Sequence, residues 1–132
     1  MEIFANIESS KAGYKTSVRT GESTQIVQVP AKNNGRGSNV NGGELLLLAL
    51  ATCYCNDLYR EAERLQISID SVEVEATADF PGIGLAAKNI RYRARVSSAA
   101  APSEIDHLIR HTDSVAEIHN TIRAGTPVTL MQ

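Results

Sequence analysis

Two cysteines, three histidines and one glycine-rich stretch are the residues of this chain whose types and spacing suit chemistry. Cys53 and Cys55 lie two apart in a segment, about Glu44 to Leu65, that reads as a helix, so their side chains point about 200° from one another. They cannot bond to each other, and a helical Cys-x-Cys is no metal site by itself. Cys55 falls on the apolar stripe Ala51, Cys55, Leu58, Ala62 and Leu65 and is expected to be a buried filler. Cys53 falls on the face that continues into Asp57, Arg60 and Arg64. That face should border a polar space, which makes Cys53 the candidate reactive thiol, with plain packing as the alternative. Asp57, one turn away, raises the thiol pKa unless a cation offsets it.

His107 and His111 have the four-residue spacing that puts two imidazoles on one helix face, as zinc sites use. The core face of that helix is Ile105, Leu108, Ile109 and Thr112, however, and the histidines lie opposite it, so a solvated face is expected rather than a metal site. His119 falls outside the stripe Val115, Ile118, Ile122. Asn33-Asn34-Gly35-Arg36-Gly37 is rich in glycine but lacks the Gly-Lys-Ser/Thr ending of a phosphate-binding loop. No Gly-x-Ser-x-Gly elbow is present, which leaves serine hydrolase chemistry without a nucleophile.

The elements that must position these residues follow from periodicity and turn chemistry. Ile3, Ala5 and Ile7 alternate with polar neighbours, Ser9 to Gly13 supplies a turn, and Tyr14–Arg19 and Thr24–Val29 read as two further strands. Residues 31–43 form a long loop. The helix that follows is apolar on every side over Leu45–Ala51, which requires cover all round. One small sheet covers one face only, so a second copy of the chain is expected on the other. Ile67–Ala78 and Ile90–Val96 read as a strand pair. A short helix from Pro102 to about His111 comes next, then a helix opened by a Ser114-x-x-Glu117 capping box and stopped by Gly125, and a closing strand over Thr126–Met131.

The 132 residues (14.2 kDa) fit one globular domain with a real core. A net charge of −2 and 5% aromatic residues offer neither the basic surface nor the stacking platform of a nucleic-acid binder. The uncharged run Leu45–Cys55 is about half the roughly 20 residues a membrane span needs, and the N-terminus lacks the pattern of a signal peptide. Free thiols and a cytoplasmic location are therefore expected.

The stretch Asn41-Gly42-Gly43-Glu44-Leu45-Leu46-Leu47-Leu48-Ala49-Leu50-Ala51-Thr52-Cys53-Tyr54 resembles the central-helix signature of the OsmC/Ohr family (osmotically inducible protein C and organic hydroperoxide resistance proteins). That signature has an Asn/Ser-Pro-Glu-x-Leu start and an Ala-Ala-Cys ending at the same spacing. The tail Asn120–Val128 resembles the segment after the family's second cysteine, and the order of elements agrees over nearly the whole chain. The resemblance implies an α+β OsmC-like fold, a single domain over residues 1–132, with antiparallel sheets around a long central helix in an intertwined homodimer.

It also implies a thiol peroxidase site at the dimer interface. By resemblance Cys53 takes the peroxide-reacting position and becomes a sulfenic acid. The family's second cysteine falls on Ala116-Glu117, so an external thiol reductant must resolve that intermediate. The family's thiol-activating arginine lies in the first strand turn, which here holds Lys11, with Arg19 and Arg36 as other cations. Its glutamate partner falls on Gly43, with Glu44 one residue on. The expectation is a peroxidase reducing organic hydroperoxides in oxidative stress defence, with Cys53 and Lys11 as catalytic residues and neither cofactor nor metal. The alternative is a non-catalytic OsmC-like dimer whose inter-subunit cleft binds a small apolar ligand or a thiol partner.

Overall fold

The computed structural model describes residues 1–132, which divide into two compact units, Met1–Leu45 and Leu46–Gln132. In the first, β1 (Ile3–Ser10) and β2 (Gly13–Thr20) form an antiparallel hairpin running from Ile3↔Thr20 to Ser10↔Gly13. Lys11 and Ala12 make its turn, and Gly13 closes it at φ 137°, a conformation that side chains disfavour. β3 is only Ser23–Gln25, shorter than the expected Thr24–Val29 strand. The ladder ends at Val18↔Gln25, and beyond it the Thr16 hydroxyl donates to the Val27 carbonyl in place of a backbone N–H. The following loop is organised by an Ala31↔Ser38 bridge and by Asn39 N–H donating to Pro30 O at 2.7 Å.

α1 (Gly42–Arg64) is about 34 Å long at 1.5 Å per residue. Its N-terminus is a reciprocal capping box. Glu44 N–H donates to Asn41 Oδ1 at 2.8 Å, and Asn41 N–H donates to Glu44 Oε1 at 3.1 Å. Its C-terminus is closed by backbone alone. Gln66 turns left-handed (φ 57°), its N–H donates to Glu63 O, and Ile67 N–H donates to Ala62 O at 2.8 Å. This reversal delays the next strand: β4 spans Ser71–Asp79, so the expected start at Ile67 is corrected by four positions of extended chain.

β4 pairs with β5 (Lys88–Ser97), and the register places Val72, Val74 and Ala76 opposite Val96, Ala94 and Tyr92. That face packs on a core of Tyr54, Leu58, Ala62, Leu108 and Ala116. The alternate residues form a charged outer face. α2 runs Pro102–Val115, one turn past the expected end, and buries Leu108 and Thr112. α3 (Glu117–Arg123) follows after a break at Ala116.

Three local expectations are corrected here. Ser114 caps nothing: it lies inside α2 and its hydroxyl donates to His111 O at 2.6 Å. Thr126–Met131 joins no sheet, and Val128, Leu130 and Met131 stand in solvent. The buried stripe of α1 is turned relative to the expected one. Leu50, Tyr54, Asp57, Leu58, Glu61 and Ala62 are buried, while Cys55 is half-buried and Leu65 exposed. Tyr54 fills the core because its ring packs edge-on against Tyr92 at 4.7 Å. The α+β class with antiparallel sheets stands as expected. No helix is long and apolar enough to cross a membrane.

Candidate functional site around Cys53

Cys53 lies midway along α1, half-buried, with its sulfur 3.5 Å from Asp57 Oδ2 and 3.9 Å from Glu117 Oε2. Asp57 arrives by the four-residue spacing of the helix. Glu117 arrives because the break at Ala116 turns the start of α3 toward α1. The same break aims the Ile118 backbone N–H at the sulfur, where it favours the thiolate. Burial outweighs that hydrogen bond, and the Asp57 and Glu117 charges add to it, so the thiol pKa is raised.

Arg60 is the cation common to the carboxylates, and Arg64 Nη1 lies 3.6 Å from Glu61 Oε1 as well. Arg60 donates from Nη1 to Asp57 Oδ1 at 2.7 Å and from Nε to Glu61 Oε1 at 2.9 Å, and its Nη1 lies 3.6 Å from Glu117 Oε1. Glu61 also pairs with His111 Nε2 at 3.0 Å. Asp57 (5% exposed) and Glu61 (2% exposed) are thus buried, although both fall off the stripe expected from the sequence. Their burial is possible because Arg60 pairs with both, and Glu61 has Arg64 Nη1 at 3.6 Å and a hydrogen bond with His111 besides. The two respond in opposite directions. Burial holds the Asp57 carboxyl above its ordinary value despite the thiol and Arg60, whereas hydrogen bonds from Arg60 and His111 hold Glu61 below its own.

Cys55 lines a shallow depression with Ala51, Thr52, Asn56 and Val74, facing away from Asp57 and Glu117. Both cysteines are free. Lys11 is exposed at the β1–β2 turn and Arg36 is exposed in the loop, both in the first unit. Arg19, in the same unit, lies over the Phe4 ring at 5.4 Å and 3.7 Å from Glu2. Cys53, Asp57 and Glu117 offer three ligand atoms within 4.8 Å of one another, but Arg60 already supplies the charge a cation would bring to both carboxylates. His107 is exposed and stacks at 6.1 Å on His111, whose Nε2 is taken by Glu61.

His119 departs most from expectation. It is 4% exposed, with its ring against Tyr92 (4.4 Å) and Tyr54 (5.6 Å). Spacing had placed it outside the apolar stripe, whereas Ile118, expected within that stripe, is exposed. Glu117 carried no local signal beyond the Ser114 capping pattern, but the resemblance had put the second-cysteine position at Ala116-Glu117, and Glu117 does lie beside Cys53.

Compared with known proteins, residues 35–131 match the family model described as OsmC-like protein, and the chain belongs to that family. Solved structures with the same fold include an OsmC-like protein from Mycoplasma pneumoniae, 18% identical with a TM-score of 0.65, the match covering 99% of this chain and 96% of that one. An organic hydroperoxide resistance protein from Legionella pneumophila is 17% identical, with a TM-score of 0.62 over 93% of this chain and 90% of the other. A further organic hydroperoxide resistance protein, from Elizabethkingia anophelis, is 17% identical with a TM-score of 0.62, over 93% and 89%. No curated protein sequence matches the chain.

Proposed function

We propose that the protein is a one-cysteine thiol peroxidase that reduces organic hydroperoxides and serves in oxidative stress defence. The observation that carries this reading is the setting of the Cys53 sulfur, half-buried, reached by the Ile118 N–H, and within 3.5 Å of a carboxyl whose pKa is raised. Asp57 is suited to accept the thiol proton and return it to the leaving group. The thiolate attacks the terminal peroxide oxygen, the O–O bond breaks as the S–O bond forms, and the alkoxide leaves as an alcohol carrying that proton. A first external thiol converts the sulfenic acid to a mixed disulfide and water. A second releases the external disulfide and restores Cys53. Ala116 at the second-cysteine position is consistent with this external route, as are the descriptions of the Legionella and Elizabethkingia proteins with the hydroperoxide role.

A homodimer and a cytoplasmic setting, where thiols are kept reduced, belong to the same reading. Every residue of β1 is exposed, Ile3, Phe4 and Ile7 among them, and Leu48 is 60% exposed on an otherwise apolar helix start. A second copy is the economical cover. Lys11 is assigned the role of cation to the thiol, with Arg19 and Arg36 as alternatives. The raised thiol pKa favours a second reading, a non-catalytic dimer that holds a small apolar ligand or a thiol partner in its cleft.

Intact-mass analysis of reduced protein after one equivalent of organic hydroperoxide, with a dimedone trap, separates the two. Rapid stoichiometric trapping that disappears in Cys53→Ser supports the peroxidase. Oxidation no faster than that of a free thiol favours the binding protein.

A further inference from the structure

Two carboxylates flank the Cys53 sulfur, and attack on a peroxide occupies one of them. Asp57 is buried and engaged through both oxygens, with Oδ2 at 3.5 Å from the sulfur and Oδ1 accepting from Arg60 at 2.7 Å. Glu117 reaches the same sulfur with Oε2 at 3.9 Å, but its side chain is 67% exposed and its other oxygen meets Arg60 only at 3.6 Å. Its backbone is fixed where its side chain is free. Ala116 is fully buried in the core, Asn120 N–H donates to Ala116 O at 2.9 Å, and the Thr121 hydroxyl donates to Glu117 O at 2.7 Å. The Ile118 N–H also meets the sulfur. An anchored start of α3 thus carries a loosely held carboxylate to the solvent side of Cys53.

We propose that Glu117 is the general base of the second half of the cycle, in which an external thiol reduces the Cys53 sulfenic acid. The inference rests on the peroxidase reading and deepens it. As the external sulfur attacks the Cys53 sulfur, its electron pair forms the S–S bond, the S–O bond breaks, and that pair leaves with the oxygen. The thiol proton passes to Glu117 and from there to the departing oxygen, which is released as water. The external sulfur is oxidised and the Cys53 sulfur reduced, both ending in the mixed disulfide, and no further reactant is needed. Exposure decides which carboxylate serves. A thiol arrives from solvent, where Glu117 stands, whereas Asp57 is closed off from it and already holds Arg60. Hydroxide leaves sulfur poorly without a proton. A side chain in hydrogen-bond reach that carries that proton contributes about 10²- to 10⁴-fold in comparable reactions.

The test follows the two half-reactions separately in the full chain. Reduced protein is oxidised with one equivalent of cumene hydroperoxide, mixed with the neutral thiol 2-mercaptoethanol, and sampled at intervals into dimedone for intact mass. In Glu117→Gln the sulfenic acid should persist about a hundredfold longer than in the parent. Oxidation by the hydroperoxide should become somewhat faster, because the Glu117 charge that raises the thiol pKa is gone. Glu117→Ala should show the same delay, and added formate, a carboxylate free to enter the vacated place, should restore part of the rate. Equal lifetimes in the parent and Glu117→Gln would overturn the role, as would a shorter one, the mark of a carboxylate that only repels thiolates. Slowing of both half-reactions without rescue by formate would also overturn it, since a structural role produces that pattern. Absence of any trapped sulfenic acid in the parent would instead overturn the peroxidase reading, and this role with it.

Discussion

Arginine meets carboxylate in two settings within the Leu46–Gln132 unit. On the outer face of β4–β5, Arg93 pairs with Glu75 at 2.6 Å and Arg95 with Glu73 at 2.7 Å, all four side chains reaching into water. On α1, Arg60 holds Asp57 and Glu61 at similar distances, 2.7 and 2.9 Å, but both carboxylates are buried. The bond lengths are nearly the same and the consequences differ. In water a pair forms against competing solvent and contributes about 0–1 kcal/mol. A buried pair contributes little net stability either, yet breaking it strands a desolvated charge. The α1 set is therefore fragile, and it is also the set that touches Cys53.

Removing the cation that holds the buried carboxylates should produce the largest effect. Arg60→Met keeps much of the apolar stem and leaves Asp57 and Glu61 without their shared partner. A fully buried broken pair usually costs about 3–5 kcal/mol. Because the Arg60 side chain is 44% exposed and water can reach the gap, we expect about 2 kcal/mol at neutral pH from urea unfolding. The Cys53 thiol pKa, followed by thiolate absorbance, should rise further, since both neighbouring carboxylates lose their counter-charge. A variant as stable as the parent would show that water already satisfies these carboxylates.

pH sharpens the contrast from the other side. The His119 imidazole is held below its ordinary value of 6.5, chiefly by burial and then by Arg123, so the unfolded chain takes up a proton first. The stability it contributes is full above pH 6.5 and is lost as pH falls through the depressed folded value. Glu61 behaves likewise in a lower window, being held below 4.5: its contribution is present above 4.5 and lost on further acidification. Asp57 opposes it, because its raised folded pKa makes the native state the better proton acceptor in acid. Unfolding free energies should therefore begin to decline below about pH 6.5, and His119→Phe should flatten that first decline while leaving the one below pH 4.5. An equal first decline in both proteins would assign it to another group.

How much of this was legible in the sequence depends on where the deciding contact lies along the chain. Val72, Val74 and Ala76 show the inward face of β4 because a strand alternates locally, and Cys53 stands apart from Cys55 by the helix face that spacing gives it. Asp57 and Glu61 both fall off the expected apolar stripe Ala51, Cys55, Leu58, Ala62 and Leu65, a spacing that leaves them to a polar face. Their burial is set by Arg60, a neighbour on the same helix, and by His111, fifty positions on. Glu117 looked like the end of a capping box, whereas its sulfur neighbour lies 64 positions away. The Tyr54–Tyr92–His119 cluster joins three elements, and no local period encodes it. Thr126–Met131 carries the alternation of a strand, but alternation does not supply a ladder to join.

The smallest expected effect belongs to the exposed ladder. Glu73→Gln removes the Arg95 partner at 2.7 Å, yet Arg95 also reaches Glu75 Oε1 at 3.4 Å and can keep that contact. The side chains at this register are 54% and 60% exposed, so water replaces what is lost. Urea midpoints for the parent and Glu73→Gln should differ by little more than their error, and any difference should shrink on raising salt, because exposed charges are screened beyond a Debye length of about 8 Å near physiological ionic strength. The loss in Arg60→Met should persist in the same salt, since its carboxylates are shielded from the ions. If the two variants responded to salt alike, the distinction between the sets would rest on position alone and not on burial. Burial would then lose its place as the reason the Asp57 carboxyl beside Cys53 is held above its ordinary value.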